Sequence, residues 1–177
     1  MQAYTFWKTV TMDQANLLES LVAVFDEHEI QYCAIGSQAV NAYVEPLVSL
    51  DLVVVVRQFD QVKDLLNRNF DVKQSPHSLN VSLAGSDLRV QIQMDERYAP
   101  FVERAARREV LGLKMPVASL EDVLQGKIWA AQDSQRRGSK RQKDLADIAR
   151  ILEKYPTLRV KVPQEIRARL VGDSMDD

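Results

Sequence analysis

The residues of this chain whose types and spacing could do chemistry are Gly36, Ser37 and Asp51. Gly36-Ser37 follows the apolar run Tyr32-Cys33-Ala34-Ile35, and Asp51 heads the run Leu52-Val53-Val54-Val55-Val56. A glycine lets backbone N–H groups approach a phosphate, and the next serine hydroxyl can donate to a phosphate oxygen. A strand aspartate can hold a hard divalent cation through its oxygens. Carboxylates at i and i+2 of a strand point to one face, so a pair of metals would want a second acid at position 53. Val53 stands there. The chemistry suggested is phosphate transfer with part of its metal site missing.

The elements that must position these residues can be read from hydrophobic period. Asp13 can cap a helix whose apolar face is Ala15, Leu17, Leu18, Leu21, Val22, Val24 and Phe25. Tyr32 to Ile35 reads as a buried strand, and Gly36-Ser37 turns it into a helix from about Gln38 to Tyr43, ended near Pro46. Leu50 to Val56 is β-branched and continuous, which predicts a strand buried on both faces. Phe59, Val62, Leu65 and Leu66 mark a second amphipathic helix, and Asp71 to Gln74 an edge strand. Alternation at Leu79 to Leu83 and Leu88 to Met94, around Ala84-Gly85-Ser86-Asp87, predicts a β-hairpin. A short helix over Phe101 to Arg107 and a short strand over Val110 to Leu113 come next, then Met115-Pro116-Val117. Three helices follow, over Leu120 to Ala131, Lys140 to Tyr155 and Gln164 to Leu170. The order predicts an α/β (α+β) chain: a mixed sheet flanked by helices, with a helical C-terminal segment. The expected division is a core over residues 1–115, a helical segment packed on it over 116–171, and a frayed tail over 172–177.

Bulk properties remove several classes of function. A net charge of −2 gives no global attraction to nucleic acid, so the composition argues against that partner. The basic run Arg136 to Lys143 reads as a solvated loop. The longest apolar stretch, Leu52 to Val56, is far short of the roughly 20 residues that cross a bilayer. Cys33 is the only cysteine, so no internal disulfide can form, and it reads as a core residue. With no signal peptide visible at Met1 to Lys8, a cytoplasmic setting is expected. His28 and His77 lie far apart, which excludes a zinc site built on them. Tyr43 and Trp129 read as core, and Trp7 as packing for the N-terminal segment.

Taken in order, the motifs resemble the nucleotidyltransferase superfamily, most closely its small bacterial abortive-infection-type and minimal families. Gly36-Ser37 matches the first motif, and Ser49-Leu50-Asp51-Leu52 the second, up to Val53. A third carboxylate is expected in a hairpin strand, where Arg89-Val90-Gln91-Ile92 carries Gln91 instead. The phrase Pro116-Val117-Ala118-Ser119-Leu120-Glu121-Asp122, then Lys127, then Lys143-Asp144-Leu145-Ala146-Asp147 is similar to the helical segment of these families. The resemblance covers about residues 14 to 155.

The resemblance implies a nucleoside triphosphate donor, magnesium, and transfer of a nucleotidyl group to a hydroxyl acceptor. It also implies a cleft lined by Gly36, Ser37, Lys127, Lys143 and Asp144, with Asp51 as the remaining catalytic and metal-binding carboxylate. Lys127, Lys143 and Asp144 have a plainer reading too, as i,i+4 pairs on a solvated helix face, Lys140 with Asp144 and Lys143 with Asp147. Asp95 and Asp87 lie roughly 13 Å from Gln91 along the strand, too far to replace it, while Glu45 stays open as a substitute. Three expectations follow. The first is a catalytically impaired nucleotide-binding or regulatory member whose magnesium is weak or absent. The second is an active transferase with a rearranged metal site. The third is a protein-interaction component of a toxin–antitoxin pair. The sequence sets no oligomeric state.

Overall fold

The computed structural model describes residues 16–170. Asp13, Trp7 and the tail over 172–177 lie outside them. The described chain forms a seven-stranded mixed sheet with helices. Helix α1 (Leu17–Glu27) leads to β1 (Tyr32–Ile35), which passes directly into α2 (Gly36–Asn41). A loop then reaches β2 (Asp51–Val56), followed by α3 (Phe59–Asn69) and the meander β3 (Asp71–Ser75), β4 (Ser78–Ser82) and β5 (Arg89–Gln93). A 3-10 segment (Glu96–Arg104), β6 (Ala106–Val110) and β7 (Leu113–Val117) complete the sheet. Helices α4 (Leu120–Gln132) and α5 (Gly138–Lys154), a 3-10 turn (Pro156–Lys161) and the short α6 (Gln164–Arg167) close the described chain.

The strand order is β3-β4-β5-β2-β1-β7-β6. β2 lies antiparallel to β1 and parallel to β5, and β1 lies parallel to β7. The outer strands are β3, which carries Asp71 and Lys73, and β6, which carries Arg107, Arg108 and Glu109. Charged side chains on outer strands discourage further strand pairing.

The alternation of β2 and β5 divides the sheet into a closed and an open face. Leu52, Val54, Val90 and Ile92 are buried with Leu79 and Val81 of β4. The residues between them, Asp51, Val53, Arg89 and Gln91, point the other way and stay at least partly exposed. So β2 is not buried on both faces along its whole length. Its first half is open on one side, and its last residues, Val55 and Val56, are covered. That open half is where the residues of interest lie.

The predicted hairpin is β4–β5, and the predicted edge strand is β3. Other elements differ. The stretch 110–113 is not one strand but a β-turn: Leu111 and Gly112 both have positive φ, 53° and 79°, and join β6 to β7. Two consecutive positive φ angles match the right-handed twist of a hairpin. The helix expected over 101–107 is a 3-10 segment that starts earlier and contains Pro100, whose ring removes a helical hydrogen bond. Cys33 and Tyr43 are buried, and Trp129 is half-buried against Tyr98 and Phe101.

Candidate active-site cleft

The site is built first by a backbone break. Gly36 has φ +74°, a conformation side chains disfavour, and this turns β1 into α2 without a linker. A Cβ on Gly36 would sit 3.4 Å from Cγ2 of Val53, an ordinary contact, so the positive φ is what demands glycine. The next residue, Ser37, therefore sits at the head of α2 above the open half of β2.

Ser37 is locked into a buried ionic cluster. Its Oγ donates to Asp147 Oδ2 at 2.7 Å and accepts from Lys127 Nζ at 3.0 Å. The Lys127 ammonium also reaches Asp144 Oδ1 at 3.0 Å and Asp147 Oδ2 at 2.7 Å, so all three of its donors are used. The side chains of Lys127, Asp144 and Asp147 are 5%, 2% and 7% exposed, which makes this pairing obligatory. Two arginines satisfy the outer oxygens: Arg136 Nε meets Asp144 Oδ2 at 2.7 Å, and Arg150 Nη1 meets Asp147 Oδ1 at 2.7 Å. Burial pushes the Asp147 carboxyl pKa up. The charge of Lys127 and hydrogen bonds from Lys127, Ser37 and Arg150 outweigh that, leaving it below the ordinary aspartate value.

The helices that carry this cluster are fixed by their own sequence. Ser119 caps α4 by accepting from the Asp122 N–H, and Val123, Leu124 and Ile128 are buried on the same helix as Lys127. In α5, Asp144 and Asp147 lie at i and i+3 on the buried face with Leu145, Ile148 and Ile151. The loop from α2 to β2 is held by its carbonyls. Lys154 and Tyr155 donate to the carbonyl of Tyr43, and Arg150 to that of Glu45. Asn41 donates to the carbonyl of Leu47 and accepts its N–H, and Gln38 donates to that of Ser49.

Asp51 lies apart from the Ser37 cluster in its bonding. Its Oδ1 meets Arg89 Nε at 2.7 Å, and its Oδ2 meets Lys140 Nζ at 3.4 Å. Strand register places Asp51 directly opposite Arg89 and Val53 directly opposite Gln91. One row of the open face therefore reads Asn80, Gln91, Val53, Ile35 across four strands. Gln91 Nε2 donates to Asn80 Oδ1 at 3.0 Å, an amide–amide link where a carboxylate was expected.

Four of the residues expected to line the cleft, Gly36, Ser37, Lys127 and Asp144, come together. Lys143 does not join them; it is exposed on α5. The i,i+4 pairs do not form as read, because Asp144 and Asp147 turn inward to Lys127 while Lys140 reaches Asp51. Glu45 is exposed, with its carbonyl held by Arg150. Asp95 caps the 3-10 segment and is gripped by Arg97. Among the described residues no group of three or more His, Cys, Asp or Glu side chains could hold a metal ion. Sequence reading missed Arg89, Arg136, Lys140 and Arg150 as members, and Asp147 as more than a surface acid. The signal for Asp147 was its i,i+3 spacing from Asp144 on the apolar side of α5.

Beyond the cluster, His77, Gln93, Asp95, Arg97, Trp129 and Arg136 are among the residues lining a cavity of about 500 Å³. Arg136 is shared between this cavity and the Asp144 pair.

Several solved structures have this fold. The solution structure of the antibiotic-resistance factor ANT(2'')-Ia is 12% identical with a TM-score of 0.59, covering 88% of this chain and 90% of that one. A crystal structure of ANT(2'')-Ia with adenylyl-2''-tobramycin is 14% identical with a TM-score of 0.55, covering 88% and 98%. The lincomycin-bound lincosamide antibiotic adenylyltransferase LnuA is 10% identical with a TM-score of 0.50, covering 80% and 99%. A search of curated proteins finds no significant match. The family described as "Nucleotidyl transferase AbiEii toxin, Type IV TA system" matches residues 38–173, well over half of the chain, with Ser37 just ahead of the match and Asp51, Lys127, Asp144 and Asp147 inside it. With the nucleotidyltransferase fold around that match, the chain belongs to the AbiEii nucleotidyltransferase toxin family.

Proposed function

We propose that this protein is a catalytically impaired member of its family, a nucleotide-binding or regulatory protein rather than a working transferase. The observation that carries the reading is the pairing of Val53 with Gln91 beside Asp51 on the open face. Magnesium ions that clamp a triphosphate need clustered oxygen ligands with negative charge. Valine offers no ligand. An amide offers one oxygen and no charge, and here the Gln91 amide is engaged with Asn80. Asp51 faces two cations of the protein itself. These residues do not fit a pair of divalent ions.

The test is labelling from radioactive nucleoside triphosphates in magnesium, with RNA, protein and small hydroxyl acceptors. The expected result is no transfer above that of an Asp51→Ala variant. Strong magnesium-dependent labelling that Asp51→Ala abolishes would overturn the reading.

A second reading, an active magnesium-dependent transferase moving a nucleotidyl group to a hydroxyl acceptor, is favoured by one observation. The Ser37–Lys127–Asp147 cluster is formed, with Lys127 and Asp147 buried, although Asp51 has no neighbouring carboxylate among the described residues. A thermal shift with magnesium and any of the four triphosphates, lost in Asp51→Ala, would favour it. Membership of a toxin–antitoxin family also supports a protein partner, which copurification from a cytoplasmic extract would identify.

A further inference from the structure

Beside Asp51 the open face carries no second acid among the described residues, and two cations lie against it. Position 53 is a methyl-bearing side chain and position 91 a neutral amide, so neither repels an anion. Arg89 is the first residue of β5, and Lys140 lies in the first turn of α5. The two converge on opposite oxygens of Asp51, at 2.7 Å and 3.4 Å. The Arg89 and Lys140 side chains are 65% and 36% exposed, so each can turn from Asp51 to a ligand without unfolding anything. In the Ser37 cluster, Lys127, Arg136 and Arg150 face Asp144 and Asp147. Counting both groups, five cationic side chains oppose three carboxylates, a surplus of positive charge.

We infer that this cleft binds a polyphosphate chain, such as that of a nucleoside triphosphate, directly through Arg89 and Lys140 and without a divalent cation. The inference rests on the reading above that the metal ligands are gone, and adds what replaces them. Arginine presents a fork of donors suited to phosphate oxygens, and the lysine ammonium a point charge. Asp51 then has an inverted role. In a metal site it would hold the ion that holds the phosphate. Here it competes with the phosphate for the same two cations, as an internal stand-in anion.

Inversion makes the test sharp. ATP and inorganic tripolyphosphate are titrated by calorimetry into the full chain, in EDTA and in excess magnesium. Both bind in EDTA, and magnesium weakens both, because it neutralises the charge that Arg89 and Lys140 recognise. Arg89→Gln and Lys140→Gln each weaken binding on the order of fivefold, the scale of one partly exposed ion pair. Asp51→Asn tightens binding by a similar factor, and ligand-free thermal unfolding confirms that each variant is folded. Tighter binding of ATP than of tripolyphosphate assigns the site to nucleotides; equal binding assigns it to the free polyphosphate. Absence of binding by either probe in EDTA, or binding indifferent to both cation variants, overturns this inference alone and leaves the impaired-enzyme reading standing. Binding that requires magnesium and is lost in Asp51→Asn overturns both.

Discussion

Lys127 is the residue on which the cleft is most dependent. Its ammonium is the shared counter-ion of two carboxylates that have almost no access to water. Removing it takes the shared partner from two buried carboxylates and leaves each with one arginine, at a cost of about 3 kcal/mol, the low end for a broken buried pair. Lys127→Met, which keeps much of the volume, is therefore expected to lower stability by that amount in urea titration. Asp147 gives the same cluster a pH signature. Its folded carboxyl titrates below the ordinary aspartate value, so the unfolded chain takes up the proton first. The contribution of Asp147 is full above a pH of about 4 and is lost as the pH falls through the folded value. Stability measured between pH 5 and 2.5 should fall less steeply in Asp147→Asn than in the parent, although the variant starts lower. The proposed lack of metal-binding acids can be tested by introducing them. Val53→Asp with Gln91→Asp places three carboxylates on adjacent rows of one open face. The double variant should be less stable in EDTA through like-charge repulsion and regain stability with magnesium, seen as a metal-dependent melting shift absent from the parent.

Among the elements, the loop over residues 43–49 shows how side chains set a main-chain path. It has no repeating structure, yet the carbonyls of Tyr43, Glu45, Leu47 and Ser49 each accept from a side chain of α2, α5 or Tyr155. Asn41 bonds both sides of Leu47, so Asn41→Ala should release that residue and raise amide exchange across 47–50 while α5 stays protected. Such clips cannot be read from sequence, because the partners lie far along the chain. Local patterns were legible: the β4–β5 hairpin announced itself by alternation around Gly85, and α4 and α5 by their apolar period. The β6–β7 hairpin hid because Val110, Leu111 and Leu113 read as one apolar run, with only Gly112 to mark the turn. The 3-10 segment hid because a helix-like pattern surrounds Pro100.

For the whole molecule, the sheet order decides what can meet. Because β1 sits between β2 and β7, the head of α2 faces both β2 and the helices that follow β7. Ser37 thereby contacts Lys127 and Asp147, 90 and 110 residues further along the chain. That Gly36, Ser37, Lys127 and Asp144 come together was legible through the order of their motifs. Arg89, Lys140, Arg136 and Arg150 were not, because arginine and lysine on strands and helix ends are ordinary surface residues until register and packing aim them inward.

The saturated state of Lys127 has a consequence for covalent chemistry. An amine whose three donors are all engaged, in a pocket that admits almost no solvent, cannot approach an acylating reagent. In the native protein Lys127 should stay unmodified by a water-soluble succinimidyl ester that labels exposed Lys73 and Lys143 within minutes. Its eventual labelling, followed by peptide mass analysis, would then time the event in which α4 and α5 part from α2. One buried amine thus serves as a built-in clock for the opening of the cleft.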